Sequence, residues 1–307
     1  MRILVVGAGA TGGYFGGRLL QRGRDVTFLV RGARARTLAR DGLVLHSVNG
    51  DVTLPAPPTV LACDLHESYD LILLSCKAYG LDAAMTDFAP AVGADTTILP
   101  LLNGMRHLDL LDERFGSSRV LGGRCMIAST LDDHGAVQHL NRSHTLTYGE
   151  RDGDASSRMH SISSVLGDAG FDARPSHTIV QDMWDKWIFL ATLAGITCLM
   201  RACVGDIVAA PGGTEATLAL LDECAAVAVH AGHAPAESTL QGARQILTEA
   251  GSTLTASMMR DLESGHVVES DQIIGDMLAR ADPAQSPTIL SLVHVCLKAY
   301  QASRARA

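Results

Sequence analysis

A lysine set inside an apolar helix is the first candidate for chemistry. Lys186 stands in Trp184-Asp185-Lys186-Trp187, within the otherwise apolar helical segment Ile179–Met200. Lysines avoid such faces unless the stem carries the ammonium outward or the amine has a task. In a low-dielectric pocket an ammonium becomes a proton donor near neutral pH. On the residues alone, outward snorkelling and proton donation both stay open. A second constellation is Ala256-Ser257-Met258-Met259-Arg260-Asp261, with Glu269 and Asp271 twelve and fourteen residues past Ser257. Taken alone, a serine and two acids near helix ends read first as caps and surface charges. Two turns complete the set. The apolar run Asp70–Cys76 ends in Lys77-Ala78-Tyr79, and Thr96–Leu102 ends in Asn103-Gly104-Met105. Lys77 offers a positive charge, and Asn103 both donates and accepts. The plainer readings are a solvated lysine and a turn-forming Asn-Gly.

These residues need elements to position them. The first half alternates strand-like and helix-like segments: Ile3–Gly7, helix Thr11–Arg22, Asp25–Val30, helix Arg34–Asp41, Asp70–Cys76, helix Leu81–Phe88, Thr96–Leu102 and helix His107–Phe115. Such alternation predicts a parallel sheet with helices on its faces. Leu43–Ser47 and Asp51–Leu54 flank Asn49-Gly50, a hairpin signal. From Arg119 to Gly149 strands and turns follow, read as the antiparallel edge of that sheet. Ser156–Ala169 reads as a helix and Phe171–Arg174 as a short strand. From about Ile179 every segment favours helix: Ile179–Met200, Thr214–Ala231, Ala236–Ala250, Thr253–Ser264, Asp271–Arg280 and Thr288–Arg304. The fold expected is α/β, a Rossmann-type doubly wound sheet over residues 1–177 followed by an all-helical domain over 178–307.

The first strand runs into Gly7-Ala8-Gly9-Ala10-Thr11-Gly12, a G-x-G-x-x-G loop between strand and helix. Gly7 allows the tight turn, Gly9 lets the backbone approach a pyrophosphate, and Gly12 lets the helix pack on the strand. The helix N-terminus offers free N–H groups and partial positive charge to the phosphates. A ligand-free glycine turn is the alternative, and the strand–loop–helix–strand context argues against it. Where enzymes using NAD carry an acid at the end of the second strand, this chain reads Leu29-Val30-Arg31-Gly32, with Arg34 close behind. A guanidinium there pairs with a 2′-phosphate, which favours NADP(H). In an open α/β sheet the ligand lies beyond the carboxyl ends of the strands, so the Lys77 and Asn103 turns are both expected to face the cofactor.

The chain of 307 residues is 47% apolar and 19% charged, with a net charge of -8. An acidic balance argues against a nucleic-acid or anionic-membrane partner, which would need a concentrated basic face. The seven cysteines include no Cys-x-x-Cys pair and mostly sit in apolar runs, so they read as buried thiols of a reducing compartment. Met1 leads directly into a strand without an apolar leader, and no uninterrupted apolar run is long enough to span a bilayer. These features point to the cytoplasm. The histidines show no metal-ligand spacing, and no metal is expected. Ala225–Val229 and Ile289–Val295 read as core, with a homodimer interface as the other reading.

Taken together, the motifs resemble the ketopantoate reductase (2-dehydropantoate 2-reductase) family of the 6-phosphogluconate-dehydrogenase-like group, over nearly the whole chain. The residues that carry the resemblance are Gly7–Gly12, Arg31, Lys77-Ala78-Tyr79, Asn103-Gly104-Met105, Lys186 after Trp184, Ser257-Met258 with Asp261, Glu269 with Asp271, and Pro287-Thr288. The resemblance implies hydride transfer from NADPH to the C2 ketone of a small 2-oxo acid. Lys186 would protonate the developing alkoxide, Glu269 would hold Lys186 or the new hydroxyl, and Ser257 would grip the substrate carboxylate. Asn103 would serve substrate and cofactor, and Gly7, Ala8, Gly9, Ala10, Thr11, Gly12, Arg31, Lys77 and Glu269 would line the cofactor site. The family usually has asparagines four and eight residues after the lysine, where this chain has Leu190 and Ala194. That departure opens a second reading, the same chemistry on a more apolar 2-oxo acid or ketone. A third is an NADP(H)-binding sensor without turnover.

Overall fold

The computed structural model describes residues 1–284 and 287–306. The chain divides into two compact units, one of residues 1–102 and 107–180, the other of 103–106 and 181–307.

The first unit is an α/β body. Its strands β1 (Arg2–Val6), β2 (Asp25–Leu29), β5 (Thr59–Val60), β6 (Tyr69–Leu74) and β7 (Val92–Pro100) form one sheet in the order β5-β2-β1-β6-β7. Every pairing in it is parallel. Strands covered on both faces read as continuous apolar runs, and Leu4, Val5, Leu71, Ile72, Leu73 and Leu74 are all fully buried. The helices are α1 (Ala10–Gln21), α2 (Gly32–Asp41), α3 (Leu81–Phe88), α4 (Arg106–Phe115) and α5 (Ser157–Leu166).

A second sheet holds β10 (Asp172–Pro175), β9 (Val137–Gly149), β3 (Leu43–His46) and β4 (Val52–Leu54) in that order, with β8 (Gly122–Leu131) on β9. The expected hairpin is there: β3 and β4 pair antiparallel with Leu43 opposite Leu54, and Gly50 takes φ +98°. The expected antiparallel edge is not. Val120, just before β8, makes an isolated bridge to Ile98 of β7, and β8 then pairs antiparallel along β9 rather than extending the first sheet. The reason is apolar: Val137, Leu146 and Tyr148 of β9 join Leu43 and Leu45 of β3 in one core with Tyr14 of α1. Helix α1 therefore serves two sheets. A Cβ at Gly16 would lie 2.7 Å from Phe28 of β2, and one at Gly17 would lie 3.0 Å from Leu45 of β3. Small residues let the helix backbone come this near to both.

The second unit is helical: most of α6 (Ile179–Met200), then α7 (Val204–Ala209), α8 (Gly213–His230), α9 (Glu237–Leu247), α10 (Ser257–Glu263), α11 (Asp276–Ala279) and α12 (Thr288–Arg304). Gly195 of α6 faces Leu220 of α8 and Val293 of α12 at 2.9 and 3.4 Å from an added Cβ, so three helices converge there. The Glu223 carboxylate accepts from the backbone N–H groups of Thr288, Ile289 and Leu290 at 2.9, 3.0 and 2.8 Å. This negative charge satisfies the otherwise orphaned first turn of α12. Helix α6, at 22 residues, is long and apolar enough to cross a membrane by composition, yet 67% of its apolar window is buried within the protein. It therefore reads as a core helix.

Two local expectations shift. Residues 253–256 are not helical, because Val204 and Gly205 of α7 donate to Leu254 and Ser252 at 3.0 and 2.7 Å. The short helix α7 itself carries no signal that stands out in the sequence. The segment expected as one helix over Asp271–Arg280 opens with a π-helical turn, Asp271–Gly275, before α11. All seven cysteines are free thiols. Burial pushes Cys198 and Cys224 up to about 12, so both are inert under ordinary conditions.

Candidate active site

In the first unit the loop between β1 and α1 is built as its glycines demand. Gly7 has φ +94°, a conformation that favours glycine. A Cβ at Gly12 would fall 2.0 Å from Ser75 Oγ and 2.2 Å from Gly7 O, so no side chain fits there. At Gly9, the N-cap of α1, nothing lies within 4 Å of an added Cβ. The loop is thus tight where it meets protein and open where a ligand would approach. Two residues hold it in a way the sequence did not reveal. Ser75 Oγ donates to Val6 O and Gly7 O at 2.9 and 3.0 Å. Arg34 donates from Nε to Ala8 O at 2.9 Å and from Nη1 to Gly135 O at 2.8 Å. Burial pushes the Arg34 guanidinium below its usual value.

Arg31 is the exposed N-cap of α2, and no acid stands in the first turn of that helix. Arg36, one turn on, is also exposed. Lys77 is exposed just past β6, as the N-cap of the 3-10 turn Ala78–Gly80.

The second unit brings two candidates together. Lys186 Nζ donates to Asn103 Oδ1 at 2.7 Å in part-buried surroundings. The sequence linked Asn103 to the cofactor through its strand; the structure groups residues 103–106 with the helical unit. Around Lys186, Trp184 and Trp187 are 2% and 1% exposed, with ring centroids 4.9 Å apart. Trp187 Nε1 donates to Ile273 O at 2.9 Å, tying α6 to the π-helical turn. Gln272 of that turn donates from Nε2 to Asn103 O at 2.8 Å. No signal in the sequence near Gln272 points to Asn103, since the pairing spans the whole helical unit.

The other candidates stand as follows. Glu269 is buried, at 9% exposure. Ser257 is the partly buried first residue of α10. Asp271 turns to α12 instead, with Lys298 Nζ at 3.0 Å and His294 Nε2 at 3.3 Å. Burial raises its carboxyl, but Lys298 and His294 outweigh that and hold it below the usual value. Leu190 is partly buried and Ala194 fully buried.

Sequence models of two family regions match the chain: "Ketopantoate reductase PanE/ApbA" over residues 3–153, and "Ketopantoate reductase PanE/ApbA C terminal" over residues 178–301. The chain belongs to the ketopantoate reductase family. It is thereby an oxidoreductase with an N-terminal parallel-sheet domain and a helical C-terminal region. It is 34% identical to the uncharacterized oxidoreductase YkpB of Bacillus subtilis (strain 168), over 99% of this chain and all of the relative. The crystal structure of 2-dehydropantoate 2-reductase from Geobacter metallireducens GS-15 superposes with a TM-score of 0.87 at 28% identity, covering 98% of this chain and 100% of that one. The ternary structure of D-mandelate dehydrogenase with NADH and anilino(oxo)acetate superposes at 0.89 with 21% identity, covering 99% and 100%, which speaks to fold alone.

Proposed function

We propose that this protein reduces the C2 ketone of a 2-oxo acid with NADPH, with 2-dehydropantoate to (R)-pantoate, a step of pantothenate biosynthesis, as the leading reaction. The residues present fit a nicotinamide nucleotide: open backbone at Gly9, a closed turn at Gly12, and the N-terminus of α1, whose N-cap glycine offers no side-chain cap. Bound there, the nucleotide supplies a hydride. Residues 1–177 act as the nucleotide-binding domain and 178–307, with the Asn103 turn, as the substrate domain. Arg31 supports NADP(H), because an exposed guanidinium without a neighbouring acid welcomes a 2′-phosphate. Lys77 adds positive charge near the phosphates.

The observation that carries this reading is the Lys186–Asn103 pair. An ammonium fixed by an amide oxygen is a pre-oriented donor, and orientation is a large part of catalytic advantage. Lys186 stabilises negative charge growing on the C2 oxygen, then gives it a proton, and solvent reprotonates the amine. With Oδ1 engaged, the Asn103 amide keeps its N–H groups for a substrate oxygen. In this reading Ser257, at the start of α10, binds the carboxylate, and buried Glu269 orients the amine or the product hydroxyl. We further propose that it acts in the cytoplasm as a homodimer.

A second reading is favoured by Leu190, one helical turn past Lys186 and partly exposed. A leucine there suits a more apolar 2-oxo acid, since a hydrogen-bonding site cannot be built from it. The experiment mixes purified protein with NADPH and a panel of 2-oxo acids and follows the loss of NADPH absorbance. Turnover of ketopantoate supports the leading reaction, and preference for greasier ketones supports the second. Lys186→Ala is expected to abolish turnover and keep NADPH affinity; unchanged turnover removes the proposed donor. Tight NADPH binding with no turnover of any compound would establish a sensor instead.

A further inference from the structure

Gln272 is buried at 5% exposure, in a polar side chain that no part of the reaction described above uses. A buried amide persists only where it is hydrogen-bonded. Its Nε2 donates to the main-chain oxygen of Asn103 at 2.8 Å, while the Asn103 side-chain oxygen accepts from Lys186 at 2.7 Å. One residue is thus gripped at both its backbone and its side chain. The next residue, Gly104, has φ +76°, and a Cβ there would lie 2.7 Å from Gln272 O and 3.3 Å from its Nε2. Glycine populates positive and negative φ about equally. Without an anchor on the Asn103 carbonyl, the turn through Gly104 can therefore change conformation, and a shift of the Asn103 backbone carries its side chain along.

The anchor is itself held. Gln272 lies in the π-helical turn Asp271–Gly275. On one side Trp187 of α6 donates to Ile273 O at 2.9 Å, and on the other Lys298 and His294 of α12 engage Asp271 at 3.0 and 3.3 Å. Trp187 is the residue after Lys186, so the same short stretch of α6 carries the amine and the tie to the turn. Single π turns inside helices occur often at functional sites, because they re-aim side chains and carbonyls.

We propose that Gln272 is a positioning residue, whose hydrogen bond to the Asn103 carbonyl locks the Asn103–Gly104 peptide so that Asn103 holds the Lys186 ammonium in its reactive place. This rests on the reading of Lys186 as the proton donor. The test uses Gln272→Met, which keeps size and loses the donor, and Gln272→Glu, which keeps shape and replaces the N–H with an oxygen. Both are compared with Asn103→Ala and with the double variant Asn103→Ala/Gln272→Met. In the active protein, each Gln272 variant lowers kcat by roughly tenfold to a hundredfold, as small misplacement of a reacting group does. KM moves far less, and the double variant is no slower than Asn103→Ala, because one effect runs through the other. A kcat within twofold of wild type in both folded Gln272 variants, or losses that simply add to that of Asn103→Ala, overturns the proposal.

A crystal structure of Gln272→Met separates failure of this proposal from failure of the reductase reading. If wild type turns over no 2-oxo acid but the variant shows a rotated Asn103–Gly104 peptide and a broken Lys186–Asn103 bond, the positioning stands and the assigned reaction falls. An unmoved peptide with the bond intact overturns the positioning, whatever the activity.

Discussion

The nucleotide loop makes one sharp demand that two alanine substitutions can separate. A Cβ at Gly12 meets Gly7 O at 2.2 Å and Ser75 Oγ at 2.0 Å, whereas a Cβ at Gly9 meets nothing within 4 Å. The Gly7 carbonyl is backbone and cannot swing away, so Gly12→Ala strains the unit itself. Overpacking of this kind costs about 1–3 kcal/mol, or about 2–12 °C in Tm at roughly 2–4 °C per kcal/mol for a domain of this size. Gly9 has φ -81°, which alanine adopts freely. Its replacement loses only the modest preference for glycine over alanine at an N-cap, under about 1 kcal/mol. The order reverses for ligand binding. The new methyl of Gly9→Ala stands in the space through which the backbone reaches a pyrophosphate, and NADPH affinity should fall at least about tenfold, or about 1.4 kcal/mol. Thermal melts without ligand and fluorescence titration with NADPH read the two effects on the same samples. A Gly9→Ala protein that melts near wild type and binds NADPH with wild-type Kd would show that the nucleotide does not use this loop.

Three further outcomes are expected. Arg31→Glu should weaken NADPH binding at least about tenfold and leave NADH binding within a few-fold, since a charge-assisted contact becomes a repulsion; equal losses for both nucleotides would remove Arg31 from the 2′-phosphate. Leu190→Asn should lower kcat/KM for apolar 2-oxo acids relative to polar ones by roughly tenfold or more; an unchanged ratio would place Leu190 away from substrate. Glu150 accepts from Arg158 Nε at 2.6 Å and from Ser156 Oγ at 2.5 Å, with Nη2 of Arg158 on its other oxygen. The Arg158 bond foremost holds its carboxyl below the usual value, against the opposing effect of burial. A carboxyl lowered in the folded state stabilises fully above the ordinary carboxylate range and loses that contribution as pH falls through its lowered value. Glu150→Gln should therefore melt several degrees below wild type at neutral pH, and the gap should close in acid. A gap that widens in acid would contradict the assignment.

Local signals made much of this legible. The glycine loop sits between β1 and α1, and both its turn at Gly7 and its close approach at Gly12 are dictated within a few residues. The Asn49-Gly50 hairpin is equally local, with Ser47 N–H donating to Asp51 at 2.8 Å across the turn. What escaped the sequence was non-local. β8 and β9 read as strands, but their sheet was decided by apolar side chains shared with β3 and α1. Helix α7 has six residues and depends on bonds from Val204 and Gly205 to a distant stretch. Such a helix is too short to be stable alone, so no propensity reveals it. The Lys186–Asn103 bond spans 83 residues, and the Gln272–Asn103 bond 169. Residue type marked Lys186 and Asn103 as unusual, whereas a glutamine in a helical segment marks nothing.

Two arginines show why residue type and spacing reach only so far. Arg31 and Arg34 stand three apart at the start of α2, and by sequence both are candidates for a phosphate. Arg34 is committed elsewhere: its guanidinium spans the Ala8 and Gly135 carbonyls at 2.9 and 2.8 Å, bracing the glycine loop against the β8–β9 turn. Carbonyl oxygens carry partial negative charge, so they spend this cation on architecture. Arg31 stays exposed at the helix N-cap, where the N-terminal end of the α2 dipole adds to its positive field. The division of labour follows from position: Arg31 is the extended, exposed N-cap, whereas Arg34 lies inside α2 and is partly buried. If that division is right, Arg34→Ala should lower Tm and weaken NADPH and NADH alike, through a loosened loop. Arg31→Ala should leave Tm unchanged and discriminate between them.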